Sequence, residues 1–366
     1  MQVFFDNSVF SIQKAGGVSA YWYELLSGMC NSELSIGFLN ARPQSDNIFE
    51  NKIDYNRFNC IQESRIPLKY LRYLPLRYAL PTAAIFHGGY LRISPQKDIL
   101  NILTVHDFAH ERKLASKFPR GLANTLQKAY GIRRADGIIC ISDSTRQELF
   151  HFFPGINPAK IKVIHHGIGN FYPISKQQPA NCSLDIDLGE KFVLYVGARR
   201  NYKNFFTAVK TIELLPPSFN LVVVGGEPWD KKEIDMMNKK IPGRYRIFQT
   251  ISQSDLNILY NHAFCLLYTS AYEGFGFPPG EAMKAGCPVV TTNMTSMPEV
   301  VGRAGLMADR PDPLLFAEKI SSLENEIFKQ RLIARGLQQA QQFTWNKSVQ
   351  ETINFYKDCW NLKFST

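Results

Sequence analysis

Tyr272-Glu273-Gly274-Phe275-Gly276-Phe277-Pro278-Pro279-Gly280-Glu281-Ala282-Met283 sets two carboxylates eight residues apart, with three glycines and a Pro-Pro pair between them. The apolar residues 263–269 before it read as a strand, and residues 281–285, stopped by Gly286, read as helix. The block is therefore a strand, a glycine loop and a helix N-terminus. Such a junction offers backbone N–H groups and the positive end of a helix dipole to a phosphate or a sugar hydroxyl. Glu273 falls in the loop and Glu281 in the first helical turns, where both face one cleft and each can grip a diol. A plain turn with acids at a helix start has the same local pattern, so the rest of the chain decides.

The chain has 366 residues, 45% hydrophobic and 20% charged, which predicts a soluble globular protein of two domains. No apolar run approaches membrane-spanning length, and the chain enters a strand at residues 3–5 without a signal peptide. Its seven cysteines are scattered, with no CxxC pair, and several, such as Cys140 and Cys265, fall inside apolar strands. They read as reduced thiols of a cytoplasmic protein. His106 and His110 are four apart, but no glutamate follows His106 and the preceding residues are strand-like, so a zinc-peptidase helix is excluded. The charge is uneven. Of the net +10, residues 1–180 carry +8, and residues 62–134 hold 13 basic and 4 acidic side chains. That segment interleaves bases with Tyr70, Leu71, Tyr73 and Leu74. A basic, apolar-studded surface suits an anionic membrane or a phosphate-rich acceptor, and its composition alone also suits nucleic acid or a helical face with snorkelling bases.

Strand and helix patterns alternate in both halves. The first half has strands at 3–5, 36–39, 84–86, 102–105, 137–141 and 161–164, with helices at 18–29, 121–134 and 145–152. Residues 173–188, polar and with two prolines, read as a linker between a first domain, 1–172, and a second, 189–344. The second half has strands at 192–196, 220–224, 245–249, 263–267 and 288–291, then largely helix over 312–343 and a last helix from Trp345. This alternation predicts an α/β protein of two Rossmann-like parallel sheets facing an interdomain cleft. Ligands bind such sheets beyond the C-terminal strand ends, where Gly16, Gly17, His87, His106, Asp107, Arg199, Lys203 and Glu273 all fall. Arginine supplies a planar fork and lysine a point charge, so Arg199 and Lys203 suit a departing diphosphate.

With these residues in view the chain resembles the retaining GT-B glycosyltransferases of family four. The likeness is carried by 195–197, Tyr202-Lys203-Asn204, the Glu273-to-Met283 block, Cys287-Pro288-Val289-Val290 and Met297-Pro298-Glu299-Val300. In the first half it is carried by Phe5-Asp6-Asn7, 13–18, 104–107 and 141–145. It spans essentially the whole chain; the paired-glutamate block is specific, the Gly-Gly loop weak. It implies a nucleotide-sugar donor on the second domain and an acceptor on the first, with residues 345–366 crossing back onto the first. It further implies that Glu281 holds the ribose, Glu273 the transferred sugar, and Arg199 and Lys203 the diphosphate. Amides of Gly274, Phe275, Gly276 and Phe277, and of Gly16 and Gly17, contact sugar and phosphate. His106 lies near the reacting centre, and His87 and Asp107 serve the acceptor. Many relatives carry Arg-Lys where this chain has Tyr202-Lys203, so the guanidinium is assigned to Arg199 before Arg200. No Asp-x-Asp motif stands in a plausible donor loop, so neither metal nor cofactor is expected. The resemblance is to bacterial O-antigen and capsule enzymes. It suggests GDP-mannose as donor, then UDP-glucose or UDP-N-acetylglucosamine, and a polyprenyl-diphosphate-linked saccharide as acceptor. The expected place is the cytoplasmic face of the plasma membrane, with no nucleic acid partner. A sugar phosphorylase of the same fold would release phosphate instead. A Rossmann oxidoreductase lacks its G-x-G-x-x-G after the first strand, and a non-enzymatic membrane or nucleic-acid module leaves the paired glutamates unexplained.

Overall fold

The computed structural model describes residues 1–11, 14–42, 45–115, 119–175, 183–199 and 201–364. The chain divides into two compact units: Met1–Gly167 with Thr344–Thr366, and Ile168–Phe343. The break falls at Gly167, not 172, and residues 168–172 belong to the second unit.

In the first unit seven parallel strands are described: β1 (Gln2–Asp6), β2 (Ser35–Leu39), β3 (Asn59–Ile61), β4 (Ile85–Gly88), β5 (Leu100–Val105), β6 (Gly137–Cys140) and β7 (Ile161–Val163), ordered β3-β2-β1-β4-β5-β6-β7. All six residues of β5 are buried, as befits a central parallel strand covered on both faces. The helices are α1 (Gly17–Met29), α2 (Leu68–Leu71), α3 (Arg120–Arg134) and α4 (Asp143–Phe152). Ser142 starts α4 by accepting the Thr145 N–H at 3.0 Å. Tyr21, Trp22, Leu25, Leu26 and Met29 of α1 bury against Val3, Phe5 and Phe38 of the sheet.

The second unit carries β8 (Phe192–Val196), β9 (Asn220–Val224), β10 (Tyr245–Phe248), β11 (Cys265–Tyr268), β12 (Val289–Thr292) and β13 (Leu306–Ala308), again parallel, ordered β10-β9-β8-β11-β12-β13. Its helices are α5 (Phe205–Leu214), α6 (Lys231–Lys240), α7 (Gln253–His262), α8 (Phe277–Lys284), α9 (Met297–Val301), α10 (Pro313–Ser322) and α11 (Glu326–Ala340). The long helical stretch after 312 is thus two helices, because Asn325 caps a new start by accepting from Phe328 N. The elements that the alternation did not reveal, β3, α2, α9 and β13, are three to five residues long, too short to show a period.

The last helix, α12 (Trp345–Phe364), packs in the first unit, with Val349, Phe355, Tyr356 and Cys359 in the same core as Tyr21 and Trp22. Gly167 is required by this packing. A β-carbon there would lie 2.3 Å from the Trp345 backbone nitrogen.

Strand order reverses beside β1 in the first sheet and beside β8 in the second. The segments after β1 and β4, and after β8 and β11, therefore flank the two switch points, the positions at which parallel sheets leave a crevice for ligand.

Candidate functional site

In the second unit the switch point brings Lys203 and Glu273 together. Lys203 ends a short 3-10 turn after β8, and Glu273 stands in the loop after β11. The two loops are stitched by backbone-directed bonds. Thr269 Oγ1 donates to the Lys203 carbonyl at 2.8 Å, and Asn204 Nδ2 donates to the Thr269 carbonyl at 3.2 Å. Asn204 itself is left-handed, at φ 53°. So held, Lys203 Nζ lies 2.5 Å from Glu273 Oε1, which also accepts the Tyr268 hydroxyl at 2.6 Å. The pair is neither sealed nor solvated: the side chains are 19% and 12% exposed.

The glycine loop is fixed from below by two residues that the sequence reading passed over. Glu273 N–H donates to Thr295 Oγ1 at 3.0 Å. Ser296 Oγ donates to the carbonyls of Glu273 and Phe275 at 3.0 and 2.8 Å. Their only signal in sequence is Thr-Ser just before Met297-Pro298-Glu299. Phe275 is buried against Phe277 and Phe343. Gly276 caps α8 at φ 102°, and a β-carbon on it would meet Met297 Cε at 2.3 Å. Gly274 is half-buried. The helix start differs from the expectation in one respect. Pro278 and Pro279 fill its second and third positions, so the first turn has Phe277 as its one N–H. The donors of this junction lie chiefly in the loop.

Glu281 is in the second turn of α8, half-buried, and accepts the Tyr260 hydroxyl at 3.0 Å. Burial pushes its carboxyl up to about 7, against the opposing Tyr260 bond.

Arg199 is corrected by the structure. Its guanidinium is fully buried and spent on its own unit. Nε and Nη2 reach the Glu233 carboxylate at 3.1 and 3.2 Å, Nη1 donates to the Gly225 carbonyl at 2.9 Å, and Nη2 also donates to the Glu227 carbonyl. The fork stacks on Trp229 at 3.7 Å. It anchors the start of α6 and the loop after β9, and is not a cation waiting for a diphosphate. Arg200 lies outside the described residues.

In the first unit, Gly16 and Gly17 begin α1, with the Gly16 carbonyl accepting from Ala20 N–H and Ser19 Oγ. His106 leaves the end of β5 into a ring cluster, 5.1 Å from Tyr21 and 5.6 Å from His166 between ring centres. Burial lowers its pKa to about 4, so the imidazole is neutral at physiological pH. Asp107 Oδ1 accepts from Ala109 N–H at 3.0 Å and closes a local turn. His87 is the second correction. It is fully buried in β4, with Nδ1 at 2.5 Å from the Tyr356 hydroxyl and Nε2 at 3.0 Å from Thr104 Oγ1. Both ring nitrogens are occupied, and burial pushes its pKa to about 3. It joins the sheet to α12 and has no access to an acceptor. Asp6 of the first matched motif is likewise internal, paired with Arg92 at 3.2 Å.

Comparison with known proteins agrees with this layout. Residues 15–169 match the family model described as Glycosyltransferase Family 4, and residues 180–339 match Glycosyl transferases group 1. The O-antigen chain mannosyltransferase B of Escherichia coli is 32% identical over 231 residues, 60% of this chain and 60% of that protein. The O-antigen chain mannosyltransferase RfbU of Salmonella typhimurium is 24% identical over 208 residues, 54% of this chain and 56% of that one. The match thus spans less than two thirds of these relatives. Among solved structures, sucrose-phosphate synthase from Thermosynechococcus elongatus superposes with a TM-score of 0.79 at 19% identity, covering 99% of both chains. Anabaena HepE in complex with UDP-glucose gives 0.70 at 16%, over 97% of this chain and 99% of that one. With both halves matched by family models and the fold shared end to end, the chain belongs to the family-four glycosyltransferases of the GT-B fold.

Proposed function

We propose that this chain moves a sugar from a nucleotide-sugar donor to a hydroxyl of a saccharide acceptor, with retention of anomeric configuration and without a metal ion. The observation that carries the reading is the partly exposed Lys203–Glu273 pair at the second switch point. In the free protein the carboxylate neutralises the ammonium. A bound donor exchanges both partners: the diphosphate takes Lys203, and sugar hydroxyls take Glu273. Glu281, half-buried and accepting the Tyr260 hydroxyl, grips the ribose diol. Charge develops on the leaving diphosphate as the bond from its oxygen to the sugar C1 breaks, and Lys203 offsets it. The acceptor oxygen bonds to C1 from the same face, and its proton passes to a donor phosphate oxygen. His106, neutral and set in its ring cluster, serves the sugar or acceptor side.

The named relatives are O-antigen mannosyltransferases, which favours GDP-mannose as donor and a polyprenyl-diphosphate-linked saccharide as acceptor. UDP-glucose is the second reading, because the fold neighbour HepE was solved with it. A thermal-shift panel of GDP, UDP and ADP separates the two: stabilisation by GDP alone supports the first, by UDP alone the second. Release of inorganic phosphate in place of nucleoside diphosphate during turnover would instead mark a phosphorylase. Activity that survives EDTA supports the metal-free reading, and a strict Mg²⁺ requirement would sink it.

No described helix is long and apolar enough to cross a membrane. The excess of bases over acids in residues 62–134 is the ground for the attachment proposed here, peripheral and on the cytoplasmic face. Leu71 does not serve it, being fully buried, and Tyr73 is half-buried. The apolar side chains available are Tyr70, Leu74 and Tyr78, with Leu122, Leu126 and Tyr130 at i, i+4 and i+8 on α3, of which Leu126 is 61% exposed. Set among the excess bases of 62–134, they fit shallow insertion into anionic lipid. Co-sedimentation with vesicles containing phosphatidylglycerol, reduced by salt and by Leu126→Glu with Arg133→Glu, is the expected result. Equal binding to neutral vesicles would remove the charge from the account.

A further inference from the structure

Residues 168–172, the first of the second unit, are tied to both α7 and α8. Tyr172 N–H donates to Asn257 Oδ1 at 3.0 Å, and Asn261 Nδ2 donates back to the Tyr172 carbonyl at 3.0 Å. Lys284 Nζ reaches the carbonyls of Ile168 and Gly169 at 3.1 and 2.8 Å. Ile168 lies so close to α8 that a β-carbon on Gly280 would meet its Cδ1 at 2.3 Å. Between these ties the buried Phe171 sets its ring edge-on to Tyr260 at 5.5 Å. The frame grips the two helices that carry Tyr260 and Glu281.

Within it Glu281 is held without a countercharge. Lys284 stands three residues on along α8, the spacing at which a lysine pairs with a glutamate, but its ammonium is turned to the two carbonyls. The ionisable groups of the elements around α8 are placed elsewhere. Lys329 of α11 lies over the Phe264 ring at 4.4 Å, and Arg331 and Arg335 are exposed. Glu299 stands in the first turn of α9, and Tyr268 of β11 gives its hydroxyl to Glu273. Burial pushes the Cys287 thiol up to about 12, so it carries no charge. Among the described residues the Glu281 side chain accepts one hydrogen bond, from the Tyr260 hydroxyl to Oε2 at 3.0 Å. Burial and the nearby carboxylate hold that hydroxyl well above the usual phenol range, so it stays a donor. Glu273 differs in kind, because its partner is the Lys203 ammonium. An ammonium neutralises a carboxylate. A hydroxyl fixes its rotation, favours its charged form and leaves Oε1 to another partner.

We propose that Tyr260, seated by residues 168–172, is a positioning residue for the donor: it sets the rotation and the charge of the Glu281 carboxylate, and so the pH range over which the ribose is held. The word ribose rests on the glycosyltransferase reading; the hold of Tyr260 on Glu281 does not. The sign follows from the chemistry. The hydroxyl bonds the carboxylate more strongly than the protonated acid, so it opposes the upward push of burial on a carboxyl that stands at about 7. Without it the carboxyl takes up its proton at a higher pH still.

Isothermal titration of GDP and UDP into the full chain from pH 5 to pH 9, with denaturant melts of the free protein over the same range, tests this. The proteins are wild type, Tyr260→Phe, Glu281→Gln and the double variant. Phenylalanine keeps the ring and its contact with Phe171, so the fold is retained. In Tyr260→Phe the pH at which nucleotide affinity falls should move up by about one unit. Binding should then be roughly fivefold weaker at pH 7 and close to wild type at pH 9. In the Glu281→Gln background the same change should alter affinity less than about twofold at any pH. In the free protein the stability lost as pH rises from 5 to 9 should be larger in Tyr260→Phe than in wild type, because Glu281 ionises from a higher folded-state value, and equal in the two glutamine variants. An unmoved affinity profile in Tyr260→Phe, or an equal loss in the glutamine background, would overturn the proposal. If the stability change appears but neither nucleotide binds wild type, the transferase reading fails while the hold of Tyr260 on Glu281 stands. If nucleotide binds wild type and Tyr260→Phe alike at every pH, the transferase reading stands and this proposal fails.

Discussion

Glu281 is the residue whose environment makes the sharpest demand. Its carboxyl is raised from the ordinary 4.5 to about 7 by burial. A folded-state pKa above the unfolded one means that stability is fully present below about 4.5 and is lost as pH rises through 7. Glu281→Gln should therefore stabilise the free protein at pH 8 by on the order of 2–3 kcal/mol and leave it little changed at pH 4.5, as read from denaturant melts. The same variant should bind the nucleoside diphosphate more weakly. Wild-type affinity should fall between pH 8 and pH 6 as the carboxylate protonates, while the glutamine variant stays flat. An unaltered nucleotide affinity in the variant would remove Glu281 from the ribose.

Lys203 and Arg199 separate at the same scale. Neutralising Lys203 should reduce kcat about 10²-fold, because its charge is needed most as the diphosphate leaves. Arg199→Ala should act through the fold, stranding Glu233 and two carbonyls at a cost of roughly 2–4 kcal/mol. Substituting Arg199 by methionine together with Glu233→Leu should recover part of that Tm. Full retention of stability in Arg199→Ala with loss of turnover would return the arginine to catalysis.

At the scale of the element, the junction between β11 and α8 depends on the left-handed Gly276. An alanine there incurs about 1–2 kcal/mol for the backbone conformation and also drives Met297 aside. Gly276→Ala should lower Tm and weaken donor binding. Adding Met297→Ala should relieve the contact but not the backbone term, so recovery should be partial. A fully restored Tm would show that only the contact mattered. The same junction explains why the Pro-Pro pair is tolerated: it occupies the first turn, where the missing N–H groups have no intrahelical acceptor. The glycine loop and the second glutamate were legible from spacing alone. Thr295 and Ser296, which fix that loop, were not, because their partners lie 21 to 23 residues away.

At the scale of the whole molecule, α12 completes the first unit. Tyr356 supplies His87 with a partner 269 residues distant, and Val349 and Phe355 enter the core of α1. Truncation after Thr344 should abolish cooperative unfolding of the first unit. Tyr356→Phe alone should lower Tm by a few degrees with KM and kcat unchanged, since His87 is internal. A selective loss of acceptor affinity in Tyr356→Phe would contradict that placing.

The sequence by itself determined the architecture, because alternating apolar strands and amphipathic helices in two series admit little besides paired parallel sheets. It also marked Lys203, Glu273 and Glu281 as candidates by the strand, loop and helix pattern around them, while their partners, Glu273 for Lys203 and Tyr260 for Glu281, came only with the fold. Tertiary structure alone decided which charged residues are spent internally. β4 is buried on both faces, so no alternation marks His87 as inward-facing. Arg199 follows its strand as Lys203 does, yet its partners Gly225, Glu227, Trp229 and Glu233 come from another strand end and helix. A guanidinium reaches acceptors in several directions, and what it meets is fixed only when distant segments of the chain pack around it.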